Sequence, residues 1–593
     1  MDDRDNKAFE IRRDAAQLAK DRKGSDHPTN GEEEEYKNKN YITSYSKGLQ
    51  HNNNGEVVAD EYRKLLKALR TGKQQDFNAI QFTYSLNESV PFTNPQAGFA
   101  FDLEGPDSHD LGIRAAPRID EPEAAGEIAE LYWMALCRDI PFMKFNSNNL
   151  IAEAVSDLSS NYSDFPYKEV GFLTDLGDDI GDRIFSKKFE IPQDNQTITT
   201  DTIFRGITDG DIKGSYISQF LWMDVPWGSQ RLEQIQHPLN LYDINNTKQG
   251  KDYLTDYKTW LEIQKGRKID GNDFNKDDVD TNFKRHIITG RDLSYYVHVD
   301  QLYQAYLHAC LILSAPKRFG GLEAMVDPLL PYQDKTEYPN ETGFGTFREP
   351  HIITLVTEVA TRALKAVWYQ KWRVHRRLRP EAFGGRIHRK LNNGAAYQIH
   401  QDITNKINNN QILAKIKEHN KYQNIEFQRD DPQGTYLLPQ AFREGSPTHP
   451  SYGAGHATVA GACVTILKAW FKEDEIVANP VEPVVLNNPI EIRDGNNQIL
   501  YRKTTELRPY TGGDQLTVEG ELNKIAANIA IGRNWGGVHY RSDYAESIVL
   551  GEQIALGILQ EQADTYNEKF ACTLTRFNGK KIRFNGKRII TVN

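Results

Sequence analysis

Apolar residues three and four positions apart, sustained over long stretches, constrain this chain more than any other feature, because that spacing is the signature of a helix with one buried face. The stretch from Asp120 carries the full signal: Asp120 as N-cap, Pro122 in the first turn, then Ile128, Leu131, Tyr132 and Ala135 along one side. Similar stretches follow around 302–313, 351–377, 457–471, 522–531 and 545–560. Such stripes must bury against one another, so the expected fold is mainly α, a helical bundle protein. β-structure is expected only as short hairpins, at Asp494-Gly495, Asn578-Gly579 and Asn585-Gly586.

Residues 1–60 are polar and charged, with the run Glu32 to Glu35, and read as an extended N-terminal arm; residues 61–593 read as one large α-helical domain. A stretch rich in Asp, Asn, Lys and Gly at about 241–290 reads as a long surface excursion, and no internal repeat is present. The four cysteines are scattered, form no CxxC pair and sit in apolar helical stretches, so buried free thiols are expected. The N-terminus opens acidic without an apolar core of a signal peptide, and no run of about 18 apolar residues occurs, which predicts a soluble, cytoplasmic protein by default. A net charge of -10 gives no reason to expect nucleic acid or a membrane as partner.

Three segments run against that negative balance. The helix from His351 places Val356, Val359, Ala360, Ala363, Leu364 and Val367 on one face and runs into Lys371 and Arg379-Pro380. Pro380 disfavours the α region at Arg379, so the helix is expected to end there, and that break could swing Arg379 toward the side of Lys371. In Ser446-Pro-Thr-His449-Pro-Ser-Tyr-Gly-Ala454-Gly455-His456, prolines and glycines dictate an irregular turn that hands over to a helix of small residues. Its unsatisfied amides, Gly455 among them, favour a bound anion by roughly 0.5 to 2 kcal/mol. In Gly532-Arg533-Asn-Trp-Gly-Gly-Val-His539, glycines fold the chain tightly, and Asp543, one turn on, can accept the His539 Nδ1 proton and leave Nε2 as nucleophile or metal ligand. Each piece alone reads as a solvated basic face, a structural helix-start histidine or a glycine-rich loop. Together they read as a pocket for a small tetrahedral oxyanion such as phosphate or vanadate.

Lys371 with Arg379-Pro380, Pro-Ser-Tyr-x-x-Gly-His456 and Arg533-x5-His539-x3-Asp543 resemble the motif set of the vanadium-dependent haloperoxidases, whose pocket is shared with a group of acid phosphatases. Residues 355–385, 437–467 and 521–559 are similar to red-algal bromoperoxidases and their cyanobacterial relatives. His449 resembles the extra histidine of bromoperoxidases, whereas Trp368 stands where the red-algal type has arginine and matches brown-algal and fungal enzymes. One departure concerns the residue before Gly455, usually serine, whose hydroxyl donates to a vanadate oxygen; here it is Ala454. That loss implies weaker anion binding, by about 1.5 to 3 kcal/mol.

The resemblance implies a core of two four-helix bundles with the vanadate pocket in 351–560. It implies Lys371, Arg379, Arg533 and the Gly455 amide on vanadate oxygens, His539 Nε2 as the only protein ligand to vanadium, and His456 as acid–base toward hydrogen peroxide. Lys371 polarises a bound peroxide oxygen toward halide attack, His449 assists, and Asp300, expected to pair with Arg533, and Asp543 support. The implied activity is oxidation of bromide and iodide by hydrogen peroxide to hypohalous acid, which halogenates small organic substrates. The resemblance further implies a homo-oligomer, with dimers assembled into a dodecamer, and a structural calcium near residues 334–341, where no ligands are assigned. Two alternatives stand beside it: an acid phosphatase using His539 as nucleophile, and a non-catalytic oxyanion-binding or structural assembly protein.

Overall fold

The computed structural model describes residues 3–22, 24–162, 174–176, 183–185, 198–206, 208, 210–239, 250–269, 279–404 and 411–592. The helices that build the site are α1 (Pro122–Cys137), α2 (Gly290–Val299), α3 (Gln304–Ser314), α4 (Glu349–Tyr369), α5 (Pro380–Asn393), α6 (Gly455–Trp470), α7 (Val518–Trp535) and α8 (Arg541–Gln562). The chain is mainly α-helical, and its apolar stripes pack as the spacing requires. Val356, Val359, Ala360, Ala363 and Val367 of α4 are all buried. In α6 every residue from Ala457 to Trp470 is buried, so this helix is apolar all round and central, packed against α4, α7 and α8. α7 packs in turn on α2, and α4 on α3.

Small residues set how closely α6 and α8 approach. A Cβ on Gly461 would lie 1.9 Å from the Ile548 carbonyl oxygen, and one on Gly551 would lie 2.0 Å from that of Thr458. The contacts Ser451 to Asp543, Ala454 to Ser547 and Thr458 to Gly551 advance together along both segments. Both helices therefore run in the same direction, with their N-termini at one place.

Several boundaries differ from expectation for identifiable reasons. The N-cap of α1 is Glu121, since Pro122 lacks an N–H and suits the first helical position, and Asp120 pairs instead with Arg118. α4 does not run to Arg379. It passes into a π-turn at Gln370–His375, closed by Arg376 in the left-handed region at φ 44°, and Pro380 opens α5 with Arg379 as its extended N-cap. The hairpin turning at Asp494-Gly495 is longer than expected: β1 (Val481–Arg493) and β2 (Ile499–Pro509) pair antiparallel over 13 and 11 residues. The tail forms a three-stranded meander of β3 (Ala571–Thr575), β4 (Lys581–Asn585) and β5 (Arg588–Thr591), with Gly579 and Gly586 at positive φ in the turns.

The expected excursion at about 241–290 is partly packed. Helix Tyr257–Gln264 buries Trp260, whose indole N–H donates to the Glu381 carbonyl at 2.9 Å, while 240–249 and 270–278 lie outside the described residues. Within 1–60, helix Arg4–Asp21 has no buried residue, whereas Tyr41, Tyr45, Leu49 and Val57 form a buried cluster with Trp372 of the π-turn. All four cysteines are free and buried. Among the described residues no helix is long and apolar enough to cross a membrane, and no three His, Cys, Asp or Glu side chains gather to hold a metal ion. Near 334–341, Asp334 Oδ1 accepts from the Thr336 amide and hydroxyl at 2.7 Å each.

Candidate active site

The start of α6 and the approach to α8 meet the ends of α2 and α7 around a cavity of about 420 Å³ lined by His449, Gly455, His456, Arg533, His539 and Trp368, among others, while Arg379, the N-cap of α5, stands behind His539 and does not line it. Lys371 lies beneath it in the π-turn, whose wider coil follows an α4 already committed to the core, and is completely buried. Its Nζ donates to the carbonyls of Pro450 (2.8 Å) and Ser451 (2.9 Å), which ties the first segment to the second. Arg379 donates through Nε to the His449 carbonyl (2.9 Å) and through Nη1 to that of Val538 (2.7 Å), tying in the third. Arg533, in the last turn of α7, donates to the Val297 carbonyl at 3.0 Å, and its Nε is buried without a partner.

None of these three cations has a carboxylate in ion-pair contact among the described residues; their partners are carbonyls and imidazoles. Burial, with Arg379 and Arg533 nearby, drives the Lys371 pKa well below its usual value, against the pull of Asp543. Burial likewise lowers Arg379 to about 10 and lowers Arg533. Uncompensated buried charge is costly, and a small multiply charged anion in the cavity would offset it.

The histidines divide the remaining work. His539 Nδ1 donates to Asp543 Oδ2 at 2.8 Å, so Nε2 keeps its lone pair, which faces Arg379 Nη1 at 3.1 Å. Burial, then Arg379, holds the His539 pKa well below its ordinary value despite Asp543, so the ring is neutral. Burial would raise Asp543, but Arg377, His539 and Ser451 pull it far below the usual carboxylate range. His449 Nδ1 is 2.8 Å from Arg379 Nη2 and 3.1 Å from the Pro450 carbonyl. A guanidinium only donates and a carbonyl only accepts, so one nitrogen cannot serve both, and the shorter contact makes Nδ1 the acceptor. Burial, then Lys371 and Arg379, keeps this ring neutral too. His456, on the first turn of α6, donates from Nε2 to Asp300 Oδ1 at 3.1 Å.

Lys371, Arg379, His449, Gly455, His456, Arg533 and His539 thus come together, with Asp543 behind His539. Asp300 is also present, but its hydrogen bond goes to His456 and not to Arg533, because as C-cap of α2 it faces the start of α6. Trp368 forms a wall, its ring 4.9 Å from that of His449. A Cβ on Gly455 would meet Trp368 at 3.2 Å, so any larger residue there must push the Trp368 ring aside. Ala454 is the N-cap of α6 and gives it no side-chain cap; its own N–H donates to Ser547 Oγ at 2.8 Å.

Sequence reading missed two groups. Lys47, from the N-terminal 60 residues, lines the cavity and donates to Glu381 Oε1 (2.8 Å) and to the carbonyls of Glu444 and Ser446. Arg377 pairs with Asp543 at 2.8 Å. The basic run around Lys371 held a signal for Arg377, but Lys47 carries none that spacing could reveal.

Residues 351–568 match the family model described as the VCPO second helical-bundle domain. The chain is 36% identical to the vanadium-dependent bromoperoxidase of Corallina officinalis, over 97% of this chain and 98% of that one. It is 30% identical to the vanadium-dependent bromoperoxidase of Ascophyllum nodosum, over 98% and 92%. The homohexameric structure of the second vanadate-dependent bromoperoxidase of A. nodosum superposes with a TM-score of 0.80 at 25% identity, covering 99% of this chain and 92% of that one. With likeness covering 97% or more of the chain and a pocket of buried cations beside the neutral His539 imidazole, the chain belongs to the vanadium-dependent bromoperoxidase family.

Proposed function

We propose that this chain is a vanadate-dependent bromide and iodide peroxidase: hydrogen peroxide, halide and a proton give hypohalous acid and water, and the hypohalous acid halogenates small organic substrates. One observation carries the reading: three buried cations, none with a carboxylate partner among the described residues, converge with His539, whose Nε2 lone pair is held by a single donor, Arg379 Nη1 at 3.1 Å. That donor set fits vanadate. Lys371, Arg379, Arg533 and the Gly455 amide would hold its oxygens through charge-assisted hydrogen bonds, and His539 Nε2 would supply the one protein ligand to vanadium. Bound vanadate supplies a Lewis-acidic centre that activates peroxide toward halide without change of oxidation state.

The protein's own groups then do the rest. His456, held by Asp300 through Nε2, takes a proton from incoming peroxide at Nδ1 and returns one to the departing oxygen. The Lys371 ammonium polarises the peroxide oxygen that the halide attacks. Neutral His449, braced by Arg379 and Trp368, bounds the halide side. The homohexameric A. nodosum relative supports a homo-oligomer for this chain as well.

The test is bromination of a phenolic dye by the vanadate-reconstituted full chain, with arms lacking vanadate or peroxide. Bromination requiring both is expected. Phosphate release from a nitrophenyl ester without peroxide would instead mark a phosphatase, and vanadate binding without turnover would mark a non-catalytic oxyanion-binding protein.

A further inference from the structure

Asp543 is the one carboxylate at this pocket that all three motif segments share. Its Oδ2 accepts from His539 Nδ1 (2.8 Å), the Tyr540 amide (3.1 Å) and Ser451 Oγ, which leaves Oδ1 to Arg377 Nη1 at 2.8 Å. Arg377 is fixed on further sides. Nη1 also reaches Ser542 Oγ (2.9 Å), Nη2 donates to Glu127 Oε2 (2.8 Å), and the guanidinium lies 3.8 Å over the Tyr540 ring. Glu127, on α1, accepts the Ser542 amide with its other oxygen. A buried row of alternating charge, Glu127, Arg377, Asp543, thus runs from the first half of the chain to the back of His539.

We propose that Arg377 is a positioning residue for the oxyanion site: by bridging Asp543 to Glu127 it fixes Asp543 Oδ2 on His539 Nδ1, so that the His539 Nε2 lone pair faces the anion. The inference rests on the reading of His539 as the vanadium ligand. Two physical arguments support it. A neutral imidazole has two tautomers, and Asp543 at Nδ1 (2.8 Å) favours the same one as the donor Arg379 Nη1 at Nε2 (3.1 Å), so Arg377 secures one of two supports for it. A buried carboxylate one residue behind an anion site also repels that anion, and Arg377, paired with Asp543 Oδ1 at 2.8 Å, cancels its charge. Lys371, Arg379 and Arg533 remain for the ligand.

The test compares Arg377→Met, Arg377→Gln and Arg377→Lys in the full chain. The first readout is the ¹⁵N-histidine spectrum of the anion-free protein, with His539 assigned by its loss in His539→Gln. The second is the dissociation constant for vanadate. Arg377→Met and Arg377→Gln are expected to raise the Nε2–H share of His539 measurably above wild type, against the remaining pull of Arg379, and to weaken vanadate binding roughly 10- to 100-fold. Arg377→Lys keeps the charge and is expected to restore the tautomer and most of the affinity. Arg377→Gln can still donate to one carboxylate, so it decides the matter if Arg377→Met does not fold. A folded neutral variant with the wild-type tautomer and affinity, or an Arg377→Lys no better than Arg377→Gln, overturns the proposal. The tautomer is read without vanadate, so failure of wild-type protein to bind vanadate sinks the functional reading separately.

Discussion

At the residue scale, Ala454 is where this pocket departs most from its motif, and the structure gives the departure two consequences. Ala454 is the N-cap of α6 with extended backbone (φ -90°, ψ 123°) and no side-chain cap, and alanine is among the poorest residues at that position. A serine there accepts an α6 amide while its hydroxyl proton remains free for an anion oxygen. Ala454→Ser is therefore expected to stabilise the protein by about 1 kcal/mol in chemical unfolding. It is also expected to tighten vanadate roughly 10- to 100-fold in equilibrium titration. A gain in stability with unchanged affinity would mean that the hydroxyl serves the helix alone. Arg379, His456, Arg533 and His539 were legible as site residues in the sequence because each sits near a proline, a glycine or a helix start that restricts where it can go, and Lys371 only through its company with them. The partners of Asp300 and Arg377 were not. Arg377 meets Glu127 across 250 positions of chain, and a residue's own neighbours say nothing about such a pairing.

At the element scale, the site depends on two helices whose N-termini are brought together by backbone contact. Gly461 and Gly551 stand where α6 and α8 touch, and the atoms a Cβ would strike are main-chain oxygens that cannot rotate away. Gly461→Ala or Gly551→Ala must push the helices apart, which costs at least the roughly 1–3 kcal/mol typical of overpacking. Because Gly455 and His456 begin one helix and Asp543 the other, the same displacement should loosen vanadate binding. Thermal unfolding and vanadate titration check both effects, with Gly513→Ala as control, since a Cβ there meets nothing within 4 Å. Unchanged affinity in a destabilised Gly461→Ala would separate packing from the site. The helices themselves were legible because their apolar spacing matches 3.6 residues per turn. The π-turn at Gln370–His375 was not, because its cause is tertiary: Arg376 holds a left-handed conformation while its guanidinium pairs with Glu33 at 2.6 Å and 2.7 Å.

At the scale of the whole molecule, the pocket is one case of a wider habit of burying titratable groups. His51 and His375 are pushed down by burial to about 3, and His286, His308 and His388 to about 4. His449 and His539 are pushed well below the ordinary histidine value. A histidine kept neutral in the fold contributes stability that is complete above its unfolded value near 6.5 and is lost as pH falls below it toward the folded value. Six carboxyls raised by burial oppose this, among them Glu104, Glu127, Asp224 and Asp327. Burial raises Glu32 and Asp211 to about 7, so their contribution is complete below about 4 and is lost as pH rises toward 7. With His27 and His351 also lowered, nine histidines outweigh six raised carboxyls, so unfolding takes up protons between about pH 6.5 and 4, each histidine adding a slope of up to about 1.4 kcal/mol per pH unit. Stability is therefore expected to be higher at pH 7.5 than at pH 5, with a steep fall between. Urea unfolding across that range measures the slope directly. Equal midpoints at pH 7.5 and 5 would mean that the buried histidines bind protons within the folded state. A saturating oxyanion should flatten no more than the share of the slope due to His449 and His539, because the other seven lie outside its cavity.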